Sequence, residues 1–242
     1  MKDQYFGDVN DFRKYGLLRS LAGSQRFRLG VCWMLTPPDS RTQGSALDYL
    51  CNPKEFRHRD PYLFEWLTKV VCVEKDRRTA RIEASGLLGS ASFHSRILTD
   101  SPEEQDSYFS ECAARLAGCD LVFFDPDNGL EVKSAPRGRK NSCKYLYWDE
   151  VCSTFAAGAS VLIYQHFPRE ERVGYIYRRA DELRQQTRAA AVFSFRTPYV
   201  LFLLASQDGH AATFRGQLAA IGTSWAPNQI VPAEHPAPDN PP

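Results

Sequence analysis

Three apolar runs of strand length constrain this chain most. They are RLGVCWML (Arg28–Leu35), DLVFFD (Asp120–Asp125) and ASVLIYQHF (Ala159–Phe167). None alternates apolar with polar residues, so each reads as a strand buried on both faces. Such strands need helices on both sides of a sheet, and the intervening segments supply them. NDFRKYGLLRSLA (Asn10–Ala22) has helical spacing, with Asn10 or Asp11 as cap. DPYLFEWLTKVVC (Asp60–Cys72) and SPEEQDSYFSECAARLAG (Ser101–Gly118) open on a cap followed by proline. YWDEVCSTFAAG (Tyr147–Gly158), the amphipathic Pro168–Arg188 and His210–Gly222 complete the helices. TARIEAS (Thr79–Ser85) reads as a short strand. AAVFSF and PYVLFLLA, with only Arg196 and Thr197 between them, read as a closing hairpin. The expected fold is α/β: a Rossmann-like, mostly parallel sheet with helices on both faces and a C-terminal antiparallel hairpin. One domain is expected over residues 1–224, with a helical insertion at about 45–118. Residues 225–242 are Pro-rich and expected to be disordered.

The seven cysteines are odd in number and lack any CxxC pair, which suits reduced thiols in a cytoplasmic protein better than a zinc site. The polar start MKDQYFGDVNDFRKYG is no secretory signal, and no apolar run approaches a membrane span. With a net charge of +1, only local clusters can argue for nucleic acid.

The richest chemistry lies in LVFFDPDNGLEVK (Leu121–Lys133). A buried strand ends in Asp125 and Pro126, and Asp127, Asn128 and Gly129 make a turn. Open α/β sheets bind ligands beyond the carboxyl ends of their strands. One reading has Asp125 and the Pro126 carbonyl gripping an exocyclic amino group, with Asp127 and Asn128 shaping the pocket. A second has Asp125, Asp127 and Glu131 holding Mg²⁺ or Mn²⁺ in a nuclease or a nucleotidyl or glycosyl transferase. The next loop carries Arg137, Arg139 and Lys140 before Tyr145, Tyr147 and Trp148. Cations beside aromatics suit phosphate contact with base stacking. His166 ends another strand at the same sheet edge and is a further substrate-binding candidate.

The opening stretch YFGDVNDFRKYGLLRSL (Tyr5–Leu21) resembles the GNxxDxxKHxxL start of the bacterial 23S ribosomal-RNA adenine-N6 methyltransferases. Gly7, Asp8, Asp11, Lys14 and Tyr15 stand at the matching positions, and Asp125–Pro126 matches that family's Asp-Pro strand end. The resemblance implies a methyltransferase-type sheet, S-adenosylmethionine as cofactor and a nucleic-acid substrate, RNA or DNA. It places Asp8, Lys14, Thr36, Gly44, Ser85 and Gly86 near the donor, the last two through SGLLGS in place of a Pro-Gly-Ser turn. Two departures stand out. Pro37 and Pro38 replace donor-loop glycines, and Asp127 and Asn128 replace a proline and an aromatic residue. A methyltransferase-like scaffold that binds a partner without catalysis is therefore a third reading.

Overall fold

The computed structural model describes residues 2–23, 26–37, 46–225 and 227–236. Its helices are α1 (Val9–Ala22), α2 (Pro53–Phe56), α3 (Pro61–Thr68), α4 (Ala80–Ala84), α5 (Pro102–Arg115), α6 (Trp148–Ala156), α7 (Arg172–Thr187) and α8 (Asp208–Trp225). The strands are β1 (Leu29–Cys32), β2 (Ser92–His94), β3 (Leu121–Phe124), β4 (Gly129–Leu130), β5 (Tyr145–Leu146), β6 (Ser160–His166), β7 (Ala191–Arg196), β8 (Val200–Ser206) and β9 (Val231–His235). Seven strands form one sheet in the order β2-β1-β3-β6-β8-β7-β9, and β4 pairs with β5 alone. The pairings β2–β1, β1–β3 and β3–β6 are parallel, while β8 and β9 run against their neighbours. Five strands therefore share one direction.

Alternate side chains of each central strand enter two separate cores. Val31, Trp33, Phe123 and Tyr164 pack with α1, α3 and α8 on one face. Cys32, Phe124, Val161 and Ile163 pack with α5, α6 and α7 on the other. Continuous apolar runs are what a sheet covered on both faces requires. No helix among the described residues is long and apolar enough to cross a membrane.

Three local readings change. Thr79–Ser85 contains α4, because within Ala80–Ala84 only Ile82 is buried, while Glu83 accepts from the Trp33 indole Nε1 at 2.9 Å. The edge strand is Ser92–His94, paired with β1. Part of the expected tail is structured: Trp225 is buried at the end of α8, and β9 pairs with β7. His235 Nε2 lies 2.8 Å from Ser194 Oγ, and Glu234 pairs with Arg215 at 2.7 Å. Proline is tolerated in β9 because an edge strand has a side without a partner. The hairpin accordingly lies inside the sheet, with β8 between β6 and β7. Residues 237–242 lie outside the described residues.

Candidate active site

The first turns of α1 build a buried polar cluster against the carboxyl end of β3. Asp8 is the N-cap, in place of the expected Asn10 or Asp11. Its Oδ1 accepts from the backbone N–H of Asn10 (2.8 Å) and Asp11 (2.9 Å). Asp11 Oδ2 accepts from the Gly7 N–H and the Tyr15 hydroxyl, both at 3.0 Å. Gly7 has a φ of 79°, and a Cβ there would sit 2.5 Å from Val71, so this turn requires glycine. Lys14 Nζ then reaches Asp11 Oδ1 and Asp125 Oδ2, each at 2.7 Å. The rings of Tyr15, Trp33 and Tyr164 lie 5.6–5.8 Å from the same ammonium.

Burial works to neutralise Lys14, but Asp11 and Asp125 outweigh it and hold the ammonium charged. Burial also pushes the Asp125 carboxyl up, with Lys14 opposing. Asp8 is pushed up to about 6, by burial first and then by the charge of Asp11. A carboxyl raised from 3.8 keeps a proton in the fold that the unfolded chain releases, so its contribution to stability falls as pH rises from about 4 to 6. Asn is as good a cap as Asp. Asp8→Asn is therefore expected to be more stable than the parent at pH 7, by up to ~3 kcal/mol for two pKa units, with the gain vanishing near pH 4. Urea melts at the two pH values check this; a loss of stability at pH 7 would show that the charge itself holds the turn.

The DPDNG loop continues the site. Asp125 N–H donates to the Cys32 carbonyl at 3.0 Å, and Pro126 is buried. Asp127 Oδ2 accepts from Thr36 Oγ1 at 2.8 Å, tying the segment after β1 to that after β3. Burial works to raise the Asp127 carboxyl, but the Thr36 hydroxyl and the Lys2 charge help to bring it below the usual range. Gln165 clamps the turn: its Oε1 accepts from Leu130 N at 2.8 Å, and its Nε2 donates to the Asn128 carbonyl at 3.2 Å. Gly129 has a φ of 114°, and a Cβ there would lie 2.3 Å from that Nε2.

Several expected site residues lie elsewhere. Ser85 Oγ donates to the Ile82 carbonyl and accepts from Leu87 N, a local turn. With Gly86 it precedes β2, which runs parallel to β1. Both therefore sit at the amino end of the sheet, and Gly86 borders a cleft with Phe27 and Leu29 rather than the crevice at Asp125. Gly44 lies outside the described residues. Glu131 accepts from Trp148 N at 2.9 Å and so caps α6. This separates it from Asp125 and Asp127, and among the described residues no three His, Cys, Asp or Glu side chains form a set able to hold a metal ion. The Mg²⁺ or Mn²⁺ reading loses its ligand set.

In the basic loop, Arg137 pairs with Glu150 and stacks 4.6 Å from the Tyr147 ring centroid, so it braces α6 instead of facing substrate. Asp100 pins the loop by accepting from Asn141 N (2.7 Å) and Cys143 N (2.9 Å). Arg139 and Lys140 are exposed. Trp148 opens α6 beneath the Arg179 guanidinium, at 5.8 Å. Tyr145 and His166 border a cleft behind the DPDNG loop together with Asn128. Desolvation lowers the His166 pKa, against the charge of Asp127. Trp33, Tyr164 and Gln165 were not singled out from sequence. Their only signal is position, at or just beyond the carboxyl ends of the apolar runs.

No family model and no curated protein matches the chain. Its fold is similar to a crystal structure of a protein from Legionella pneumophila str. Philadelphia 1, of family DUF519. The two share 12% identity over 97% of this chain and 98% of that one, with a TM-score of 0.47.

Proposed function

We propose that the protein transfers a methyl group from S-adenosylmethionine to an exocyclic amino group of a base in nucleic acid, beyond the carboxyl ends of β1 and β3. One observation carries the reading. Lys14 and Asp125, 111 positions apart, meet at 2.7 Å in a buried contact. The resemblance to the adenine-N6 methyltransferases calls for that juxtaposition of opening segment and Asp-Pro strand end. The residues also fit a cationic donor. Carboxylates of Asp8, Asp11 and Asp125 and the faces of Tyr15, Trp33 and Tyr164 are groups that favour a sulfonium or an ammonium.

When bound, S-adenosylmethionine supplies the activated methyl group. The chain supplies the acceptors. The Asp125 carboxylate and the Pro126 carbonyl accept the N–H bonds of the target amine and aim its lone pair. Lys14 fixes the Asp125 carboxylate from behind, and Thr36 fixes Asp127. A base within a duplex has to be flipped out to arrive here.

The scaffold reading draws on two features. Asp125 is 2% exposed with Oδ2 already on Lys14, and Pro37 stands where a donor loop carries glycine. Calorimetry separates the two. S-adenosylhomocysteine is expected to bind one to one without added divalent cation. No heat of binding at millimolar ligand would favour the scaffold.

A further inference from the structure

Behind the DPDNG loop, between it and α7, a cleft of about 390 Å³ opens to solvent. Its walls carry groups that the proposed methyl transfer does not use. The backbone of Asn128 holds the loop, donating to the Lys144 carbonyl and accepting from His166 N. The Asn128 side-chain amide makes no hydrogen bond among the described residues, and His166 engages only Nε2, with the Tyr164 hydroxyl at 3.2 Å. Tyr145 and Phe167 add half-buried rings to the same walls. Arg178 pairs with Glu170 at 2.8 Å, but the side chains are 51% and 40% exposed. So exposed a pair contributes little, and a phosphate can take the place of the glutamate. Arg179 is 9% exposed, yet its Nε has no acceptor among the described residues. A buried donor left unmatched in a cleft wall calls for an explanation.

We infer that this cleft seats one nucleotide of a single strand, the neighbour of the target. The Asn128 amide and His166 read the base edge, Tyr145 and Phe167 flank its ring, and Arg178 takes a phosphate. A base enters such a cleft only when unstacked, which excludes an intact duplex. The word neighbour rests on the methyl-transfer reading; the nucleotide site itself does not.

Fluorescence anisotropy tests it with labelled hexamers of deoxyadenosine, of riboadenosine and of abasic units, and with a dA·dT duplex. Either adenine strand is expected to bind about tenfold or more tighter than the abasic strand, given what stacking on an aromatic ring is worth. Asn128→Ala and Tyr145→Ala should erase most of that difference at unchanged melting temperature. Arg178→Ala should weaken all strands alike and reduce the salt slope by about one. Equal binding of adenine and abasic strands, preference for the duplex, or an Asn128→Ala variant that keeps the full difference would overturn the inference. S-adenosylhomocysteine titrated into the same proteins keeps the two proposals apart. Cofactor binding without base-dependent strand binding removes the cleft alone, and the reverse removes methyl transfer alone.

Discussion

Lys14→Met is expected to lower stability by about 3–5 kcal/mol at pH 7, the usual cost of taking one partner from a buried ion pair. Asp11 and Asp125 each lose an ammonium at 2.7 Å. Methionine keeps most of the side-chain volume, so little of the loss is a cavity. The pH dependence identifies the cause. Burial already pushes the Asp125 carboxyl up and Lys14 opposes this, so without Lys14 Asp125 takes up its proton more readily in the fold, and the variant regains stability relative to the parent as pH falls from 7 towards 5. Urea denaturation at both pH values measures the gap. An equal deficit at both would assign the role of Lys14 to its aliphatic stem against Tyr15, Trp33 and Tyr164 rather than to its charge.

Asp125→Ala is expected to reduce methyl transfer about 10²–10³-fold, the scale seen when one preorganised polar group is removed from a reacting centre. It should unfold the protein less readily than Lys14→Met does, because Lys14 keeps Asp11. Asp125→Asn retains a carbonyl acceptor and should recover part of the rate. Incorporation of labelled methyl into a single-stranded oligonucleotide, measured beside thermal melts, distinguishes an acceptor from a brace. A brace would make the rates of both variants follow their stabilities, and full activity in Asp125→Ala would end the proposal.

Much of the sheet was legible because β1, β3 and β6 are apolar on both faces, a pattern that few other arrangements satisfy. What the residues hid was decided at a distance. Asp8 and Asn10 are equally good caps on paper; the positive φ of Gly7 starts the helix at Val9. Glu131 stands six positions after Asp125, yet it turns to the N-terminus of α6, and nothing within the loop reveals that direction. Arg137 looked available for phosphate until Glu150, thirteen positions on, proved to be its partner. In β9 the proline masked a strand that is held by its pairing with β7 and by contacts with Ser194 and Arg215. The meeting of Lys14 with Asp125 was not legible, since no local pattern links positions so far apart.

That separation has a kinetic side. α1 is fastened to Asp125 by Lys14 and to Gln229, 216 positions away, by Arg13 at 2.6–2.8 Å. Contacts between such remote positions must first overcome the entropy of closing very long loops, which slows folding. The opening helix is thus expected to dock late, after β3 and the end of α8 are in place. Substitutions in its polar face would then act mainly by hastening unfolding, leaving the refolding limb of a chevron nearly unmoved.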